Sequence, residues 1–248
     1  MRYKLLACKV LNREIASLLW HCPNDIDLTL ISQKLHMTPR KLQSTLQQEI
    51  DMIDAHNDPH SNDLDKYDVD AILLGFGFCS KAVEGLSSRR YPLVIPRIHD
   101  CISLLFGDRQ QHPAYAAEHP GCYYYAPGWA DIDLIQDPEI LAQKRAEYME
   151  RFDGDEETVD FLLQAETEMT ASYDRLLDLT WPDIQTRDLE QQARQLAAGR
   201  NWQYIRRPGN NSMLADLLWG RWDEENFLIV PPNKSICRSF DSKVLSCE

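Results

Sequence analysis

The segment Val69-Asp70-Ala71-Ile72-Leu73-Leu74-Gly75-Phe76-Gly77-Phe78-Cys79 decides how this chain is expected to fold. Its first six residues form a mostly apolar run of the length of a buried strand. Gly75 and Gly77 then allow backbone angles that other residues avoid, and they let a ligand approach the backbone closely. Because residues 82–86 are compatible with the start of a helix, the segment predicts a strand-to-helix turn at Cys79. Gly75 and Gly77 are therefore candidate cofactor-binding positions.

The turn at Cys79 has two interpretations. At the N-terminus of a helix, the positive end of the helix dipole would lower the pKa of a thiol and favour the thiolate. Alternatively, Cys79 is a buried and inert cysteine in a tight turn, since free cysteine is among the most buried residue types.

Two further cysteines follow strand-like segments in the same way. Cys8 ends the run Tyr3-Lys4-Leu5-Leu6-Ala7, and Cys101 follows the segment 92–100. In an open α/β sheet, ligands bind outside the carboxyl ends of the strands. The positions of Cys8, Cys79 and Cys101 therefore predict that three thiols converge on one point.

Composition restricts the classes of function. The chain has 248 residues and a formal net charge of −13, which disfavours binding to nucleic acid or to anionic membranes. No apolar run approaches the roughly 18 residues of a membrane span, and no signal-peptide pattern follows Met1. Seven cysteines, an odd number, do not indicate a disulfide framework. We therefore expect a cytoplasmic protein with reduced thiols or metal ligands.

Strand-like and helix-like segments alternate along the chain, which predicts an α/β fold. The expected architecture is a Rossmann-like parallel sheet with helices on both faces and a helical middle insertion. We expect an N-terminal α/β lobe at residues 1–135 that carries the three cysteines. A helical segment at 136–182 and a C-terminal α/β segment at 183–248 follow, the latter ending in a loose tail. The aromatic stretch at 120–129 is compatible either with a pocket wall or with an edge strand.

Several motifs together resemble a bacterial and archaeal family known only as a domain of unknown function. The two most specific are the block Gly-x-Gly-x-Cys that ends at Cys79 and the block Pro-Arg-x-His-Asp-Cys that ends at Cys101. The resemblance implies that Cys8, Cys79 and Cys101 are the cysteines of the family. It also implies an anaerobic setting near corrinoid-dependent methyltransferases, but it implies no activity.

Three thiolates around one point suit zinc or a four-iron iron–sulfur cluster, because soft ligands select these metals. Three protein ligands leave one position open for substrate. Alternation along a strand end would place His99 and Arg97 on the same side as Cys101. His99 is then a candidate acid/base or fourth ligand, and Arg97 a candidate anchor for an anionic group. A cap of the following helix is the expected role of Asp100, and His36 is interpreted as an ordinary loop histidine.

These features favour a metalloenzyme that acts on a small anionic, sulfur-bearing or methyl-bearing substrate, for instance a metal-dependent lyase or transferase. Two alternatives stay open. One is a non-enzymatic partner of a methyltransferase system that binds a metal, a corrinoid or a protein. The other is a metal-free cysteine enzyme with Cys79 as the nucleophile.

Overall fold

The computed structural model describes residues 1–61, 68–129, 138–184 and 187–248. The chain divides into two compact units: residues 1–113 with 209–248 form the first, and residues 114–208 form the second. Of the predicted boundaries, the one between residues 135 and 136 lies outside the described residues. The one between residues 182 and 183 falls within the second unit, because the helices predicted at 136–182 belong to the same unit as the strands on either side of them.

In the described part of the chain the secondary structure comprises ten strands and eight α-helices. The strands are β1 (Arg2–Cys8), β2 (Asp25–Ile31), β3 (Ala71–Gly75), β4 (Leu93–Pro96), β5 (Cys122–Tyr125), β6 (Arg175–Asp178), β7 (Gln203–Arg206), β8 (Phe227–Val230), β9 (Ile236–Arg238) and β10 (Leu245–Cys247). The helices are α1 (Asn12–Leu19), α2 (Pro39–Asp54), α3 (Ile102–Phe106), α4 (Gln111–Glu118), α5 (Pro138–Arg151), α6 (Glu156–Ala171), α7 (Arg187–Gly199) and α8 (Ser212–Trp219).

The first unit contains a five-stranded sheet in the order β2-β1-β3-β4-β8. The first four strands are parallel, and β8 runs antiparallel to β4. Six of the seven residues of β1 are buried, as expected for a central parallel strand with both faces covered. The structure thus confirms the predicted α/β fold with a mostly parallel, Rossmann-like sheet.

The strand order changes direction at β1. The chain passes from β1 to β2 on one side of it and then returns to β3 on the other side. Ligands of open α/β proteins bind at such a switch point, outside the carboxyl ends of the two strands that flank it. Here those two strands are β1, which ends at Cys8, and β3, which leads to Cys79.

Helix α2 shows how the helices cover the sheet. Its buried residues include Leu42, Leu46, Ile50 and Ile53, which recur at helical spacing and form one apolar face. Pro39 occupies the first turn, where its missing N–H costs no helical hydrogen bond. Thr38 is the N-cap residue, although its side chain makes no capping bond.

Three local predictions were wrong. Residues 82–85 form turns instead of a helix, because Lys81 before them and Gly85 among them have left-handed φ angles of 76° and 83° that a right-handed helix excludes. Strand β6 lies where a helix was expected, and its Leu176 and Leu177 are fully buried. The expected loose tail instead contributes β10, which pairs with β9.

The second unit has its own parallel sheet in the order β5-β6-β7. Its core contains Tyr125, Leu176, Ala193 and Ala197. The aromatic stretch supplies β5, an edge strand of this sheet, which agrees with one of its two sequence interpretations. In neither unit does a described helix combine the length and the apolar character that crossing a membrane requires.

Candidate cysteine site

Three cysteines follow three adjacent parallel strands at the carboxyl edge of the first sheet. Cys8 is the last residue of β1, and Cys79 opens a 3₁₀ turn four residues after the end of β3. Cys101 precedes α3, five residues after the end of β4. All three are buried, with exposed fractions of 5%, 2% and 8%, respectively.

The cysteine sulfurs form a cluster centred on Cys101. The Sγ atoms of Cys79 and Cys101 lie 3.9 Å apart. The thiol of Cys8 also interacts with that of Cys101. Within residues 1–61, 68–129, 138–184 and 187–248, no three histidine, cysteine, aspartate or glutamate side chains are already arranged around a common metal position.

The two glycines of the Gly-x-Gly-x-Cys block allow the surrounding segments to pack closely. A Cβ atom on Gly75 would lie 2.7 Å from the Cβ of Ala7 on the neighbouring strand β1. A Cβ atom on Gly77 would lie 2.6 to 2.8 Å from the backbone N, Cα and C atoms of Asp100. Both contacts are closer than a real Cβ atom makes, so at both positions the missing side chain makes room for neighbouring protein.

The loop after β3 is bound to the loop after β4 through its backbone. The N–H of Phe78 donates to the carbonyl of Ile98 at 2.9 Å, and the N–H of Cys79 donates to the carbonyl of His99 at 3.0 Å. Cys79 adopts a left-handed φ of 44°, which is uncommon for a residue with a side chain. The two hydrogen bonds and the close contact at Gly77 hold this conformation in place.

The three thiols differ in acidity because they share hydrogen bonds. Interactions with Cys79 and Cys8 lower the pKa of Cys101 well below the ordinary thiol value, since both stabilise its thiolate. The same interactions, together with burial, raise the pKa of Cys79 and of Cys8 well above that value. The expectation of a lowered pKa for Cys79 at a helix N-terminus is therefore wrong, because that helix does not form and the neighbouring thiol of Cys101 and burial raise the pKa instead.

His36 belongs to the surroundings of the cluster, which the sequence interpretation missed. It lies in the 3₁₀ helix Gln33–Met37, directly after β2 and thus at the same edge of the sheet. Its charge acts to lower the pKa of both Cys101 and Asp100. The signal that could have identified it is its position just beyond the end of a fourth parallel strand.

Asp100 bonds the first N–H of α3, in keeping with its predicted capping role, although the N-cap position itself is Cys101. Its Oδ1 atom accepts a hydrogen bond from the N–H of Ile102 at 2.9 Å, at the start of α3. The same oxygen lies 3.4 Å from Nδ1 of His112. Burial raises the pKa of the Asp100 carboxyl and lowers the pKa of the His112 imidazole.

The structure places Arg97 and His99 in different environments. Nε of Arg97 donates to the carbonyls of Glu224 and Phe227 at 3.0 and 3.1 Å, and its Nη1 donates to the carbonyl of Leu245. Arg97 is only 8% exposed, whereas His99 is exposed. The predicted alternation does not reach these residues, because β4 ends at Pro96 and a bend follows.

A polar cavity of about 380 Å³ lies elsewhere in the first unit, beyond the far end of α3. Its walls come from the loop 107–110, the first turn of α8 and the start of β8. Arg109 spans part of it and contacts Oε1 of Glu225 at 3.0 Å. Its volume falls within the range of small-molecule sites.

Fold and site together define a class: an α/β protein with a buried three-cysteine cluster next to the topological switch point of its sheet. More particularly, the chain belongs to the family described as "Protein of unknown function (DUF1638)", whose model matches residues 30–218. The matched span includes Cys79 and Cys101 and begins after Cys8. Neither a curated protein nor a solved structure matches the chain.

Proposed function

We propose that the chain is a cytoplasmic metalloenzyme in which Cys8, Cys79 and Cys101 bind one metal ion. The observation that supports this proposal most directly is the distance of 3.9 Å between the sulfurs of Cys79 and Cys101. Two thiolates that share a tetrahedral zinc ion at bond lengths of roughly 2.3 Å stand about 3.8 Å apart. The proposal requires Cys8, which already interacts with Cys101, to complete the ligand set.

The same distance favours a single ion over an iron–sulfur cluster. Cysteines that bind different irons of a cluster radiate outward from it, so their sulfurs stand further apart than ligands of one ion. We therefore prefer zinc over the four-iron cluster. A cytoplasmic location is supported by the seven cysteines, all of which carry free thiols.

The residues around the cluster have distinct roles in this proposal. Three cysteines would hold the ion and leave one position open for a small anionic, sulfur-bearing or methyl-bearing substrate, which a bound ion would activate as a Lewis acid. His36 is half-buried near Cys101 and would exchange a proton beside it. Arg97 would stabilise the loops, because its guanidinium already donates to three backbone carbonyls. A place beside corrinoid-dependent methyltransferases is supported by the motif resemblance alone.

Metal analysis of four variants tests this proposal. The protein is purified without oxygen, and zinc and iron are measured per chain for the wild type and for the Cys8→Ser, Cys79→Ser, Cys101→Ser and Cys247→Ser variants. We expect about one zinc in the wild type, a marked loss in the first three variants and no change in Cys247→Ser, which alters an exposed cysteine. A wild type without metal, or equal metal content in all variants, would refute it.

Cobalt substitution separates ligands from residues that only support the fold. Thiolate ligands give Co²⁺ intense charge-transfer absorption, so the intensity should fall with each ligand that is removed. His36→Asn and His99→Asn are compared in the same assay. Unchanged spectra in both variants would exclude these histidines as ligands and leave proton exchange as the role to test for His36.

One observation favours a second candidate, a metal-free thiol enzyme. The lowered pKa of Cys101 makes this residue the nucleophile, in place of Cys79, because two neighbouring thiols stabilise its thiolate. In that case Cys101→Ser should abolish activity in a protein that never contains metal.

A further inference from the structure

The two loops that carry Cys79 and Cys101 lie side by side with their cysteine sulfurs in contact. Besides the sulfur contact of 3.9 Å, two backbone hydrogen bonds connect residues 78 and 79 with residues 98 and 99. Gly77 lies directly against the backbone of Asp100. From this geometry we propose that Cys79 and Cys101 are a redox-active pair that closes to a disulfide when the metal-free protein meets a small disulfide oxidant.

Closure requires only a local movement. The sulfurs must approach from 3.9 Å to the disulfide bond length of about 2.05 Å. Cys79 lies in a short 3₁₀ turn outside the sheet, so its side chain can make this movement without breaking a strand pairing. The two hydrogen bonds between the loops keep the two cysteines side by side while it happens.

Cys8 is the competing partner of Cys101, but its position in the sheet is less favourable. It lies within β1, where it is paired with Ile31 of β2. Moving its sulfur toward Cys101 would therefore work against a central strand that is hydrogen-bonded on both sides. The geometry therefore favours Cys79 over Cys8 as the disulfide partner of Cys101.

The reaction proceeds by two thiol–disulfide exchanges. The sulfur of Cys101 attacks one sulfur of the oxidant and forms a mixed disulfide, and the other half of the oxidant leaves as a thiol. The sulfur of Cys79 then attacks that of Cys101 and expels the second half as a thiol. The two protein sulfurs are oxidised, the oxidant is reduced, and the two protein thiol protons end on the two released thiols.

Peptide mapping identifies the pair without any variant. Trypsin places each of the seven cysteines in a different peptide, with Cys8 in 5–9, Cys79 in 67–81 and Cys101 in 98–109. The full-length protein is treated with chelator and then with 2-hydroxyethyl disulfide. Remaining thiols are blocked with N-ethylmaleimide at low pH, and the non-reduced digest is analysed by mass spectrometry.

We expect peptide 67–81 linked to peptide 98–109 as the main product among these three cysteines. Reductant should separate the two peptides. A main product that links 5–9 to 98–109, or treatment that leaves all three thiols unlinked, would overturn the proposal.

Two variants sharpen the test. Cys8→Ser should retain the link between 67–81 and 98–109, while Cys101→Ser should leave both Cys8 and Cys79 unlinked. Loss of the link in a folded Cys8→Ser protein would count against the pair, with folding judged by circular dichroism. This inference does not depend on the proposed metal site, since the link is measured on metal-free protein and the metal content on untreated protein.

Discussion

Replacing Gly77 with alanine should destabilise the first unit, because the added methyl group meets backbone rather than a movable side chain. The new Cβ atom would lie 2.6, 2.7 and 2.8 Å from Cα, N and C of Asp100. Overpacking of this kind costs about 1–3 kcal/mol. Separating the loops also weakens the hydrogen bonds of Phe78 and Cys79, at about 0.5–1.5 kcal/mol each. Together these effects predict a loss of about 2–6 kcal/mol in the free energy of unfolding.

Urea unfolding followed by circular dichroism measures this loss, and hydrogen exchange of residues 71–81 locates it. Gly199→Ala is the matched control, because a Cβ atom there has no neighbour within 4 Å. Gly199 ends helix α7, where alanine should be neutral or stabilise by up to about 1 kcal/mol. If Gly77→Ala unfolds like the wild type and the exchange of Phe78 and Cys79 is unchanged, the account of the two joined loops is refuted.

Two further substitutions and one labelling experiment test other parts of the structure. Arg97→Lys should lower the free energy of unfolding by about 2–4 kcal/mol, because an ammonium group cannot reproduce the three carbonyl contacts. Unchanged stability in a thermal melt would instead favour a ligand-binding role for Arg97. Tyr204→Phe removes the hydrogen bond of 2.7 Å to the buried carboxyl of Asp178 and should lower the free energy of unfolding by about 1.5–3 kcal/mol in urea. A loss below about 0.5 kcal/mol, the size expected for a neutral surface substitution, would contradict this prediction. Burial raises the pKa of Cys122 to about 11, so little of its thiolate is present at a pH of about 8.5. Iodoacetamide should therefore label Cys122 much more slowly than the exposed Cys247. Equal labelling rates in a peptide map would disprove the raised pKa.

The placement of the cysteines could be anticipated because it follows from topology. Cys8, Cys79 and Cys101 each come after an apolar run, and parallel strands in one sheet bring their carboxyl ends to the same edge. Only the order of strands and turns along the chain is needed to place them there. Errors of one or two residues in the strand boundaries therefore leave the expected placement of the cysteines unchanged.

Side-chain directions could not be anticipated in the same way. Strand alternation was extended from β4 to Arg97 and His99, but β4 ends at Pro96 and the following bend resets which side each residue faces. Arg97 consequently lies buried beside β8 and β10, partners that are more than a hundred residues away in the chain. Strand β6 was missed for a related reason, because four residues next to a long helix carry too little periodicity to be recognised.

The Gly-x-Gly-x-Cys and Pro-Arg-x-His-Asp-Cys blocks pack against each other and position their cysteines jointly. Gly77 needs no side chain because the backbone of Asp100 occupies that space, and the residues after Gly77 donate hydrogen bonds to the carbonyls just before Asp100. The cysteine that ends each block is thereby brought to 3.9 Å from the other. Neither block would position a thiol alone: the glycine spacing of one sets how closely the loops approach, and the Asp-Cys ending of the other provides both the contact surface and the second sulfur. A variant in either block should therefore change the sulfur chemistry of both cysteines, whether that chemistry is metal binding or disulfide formation.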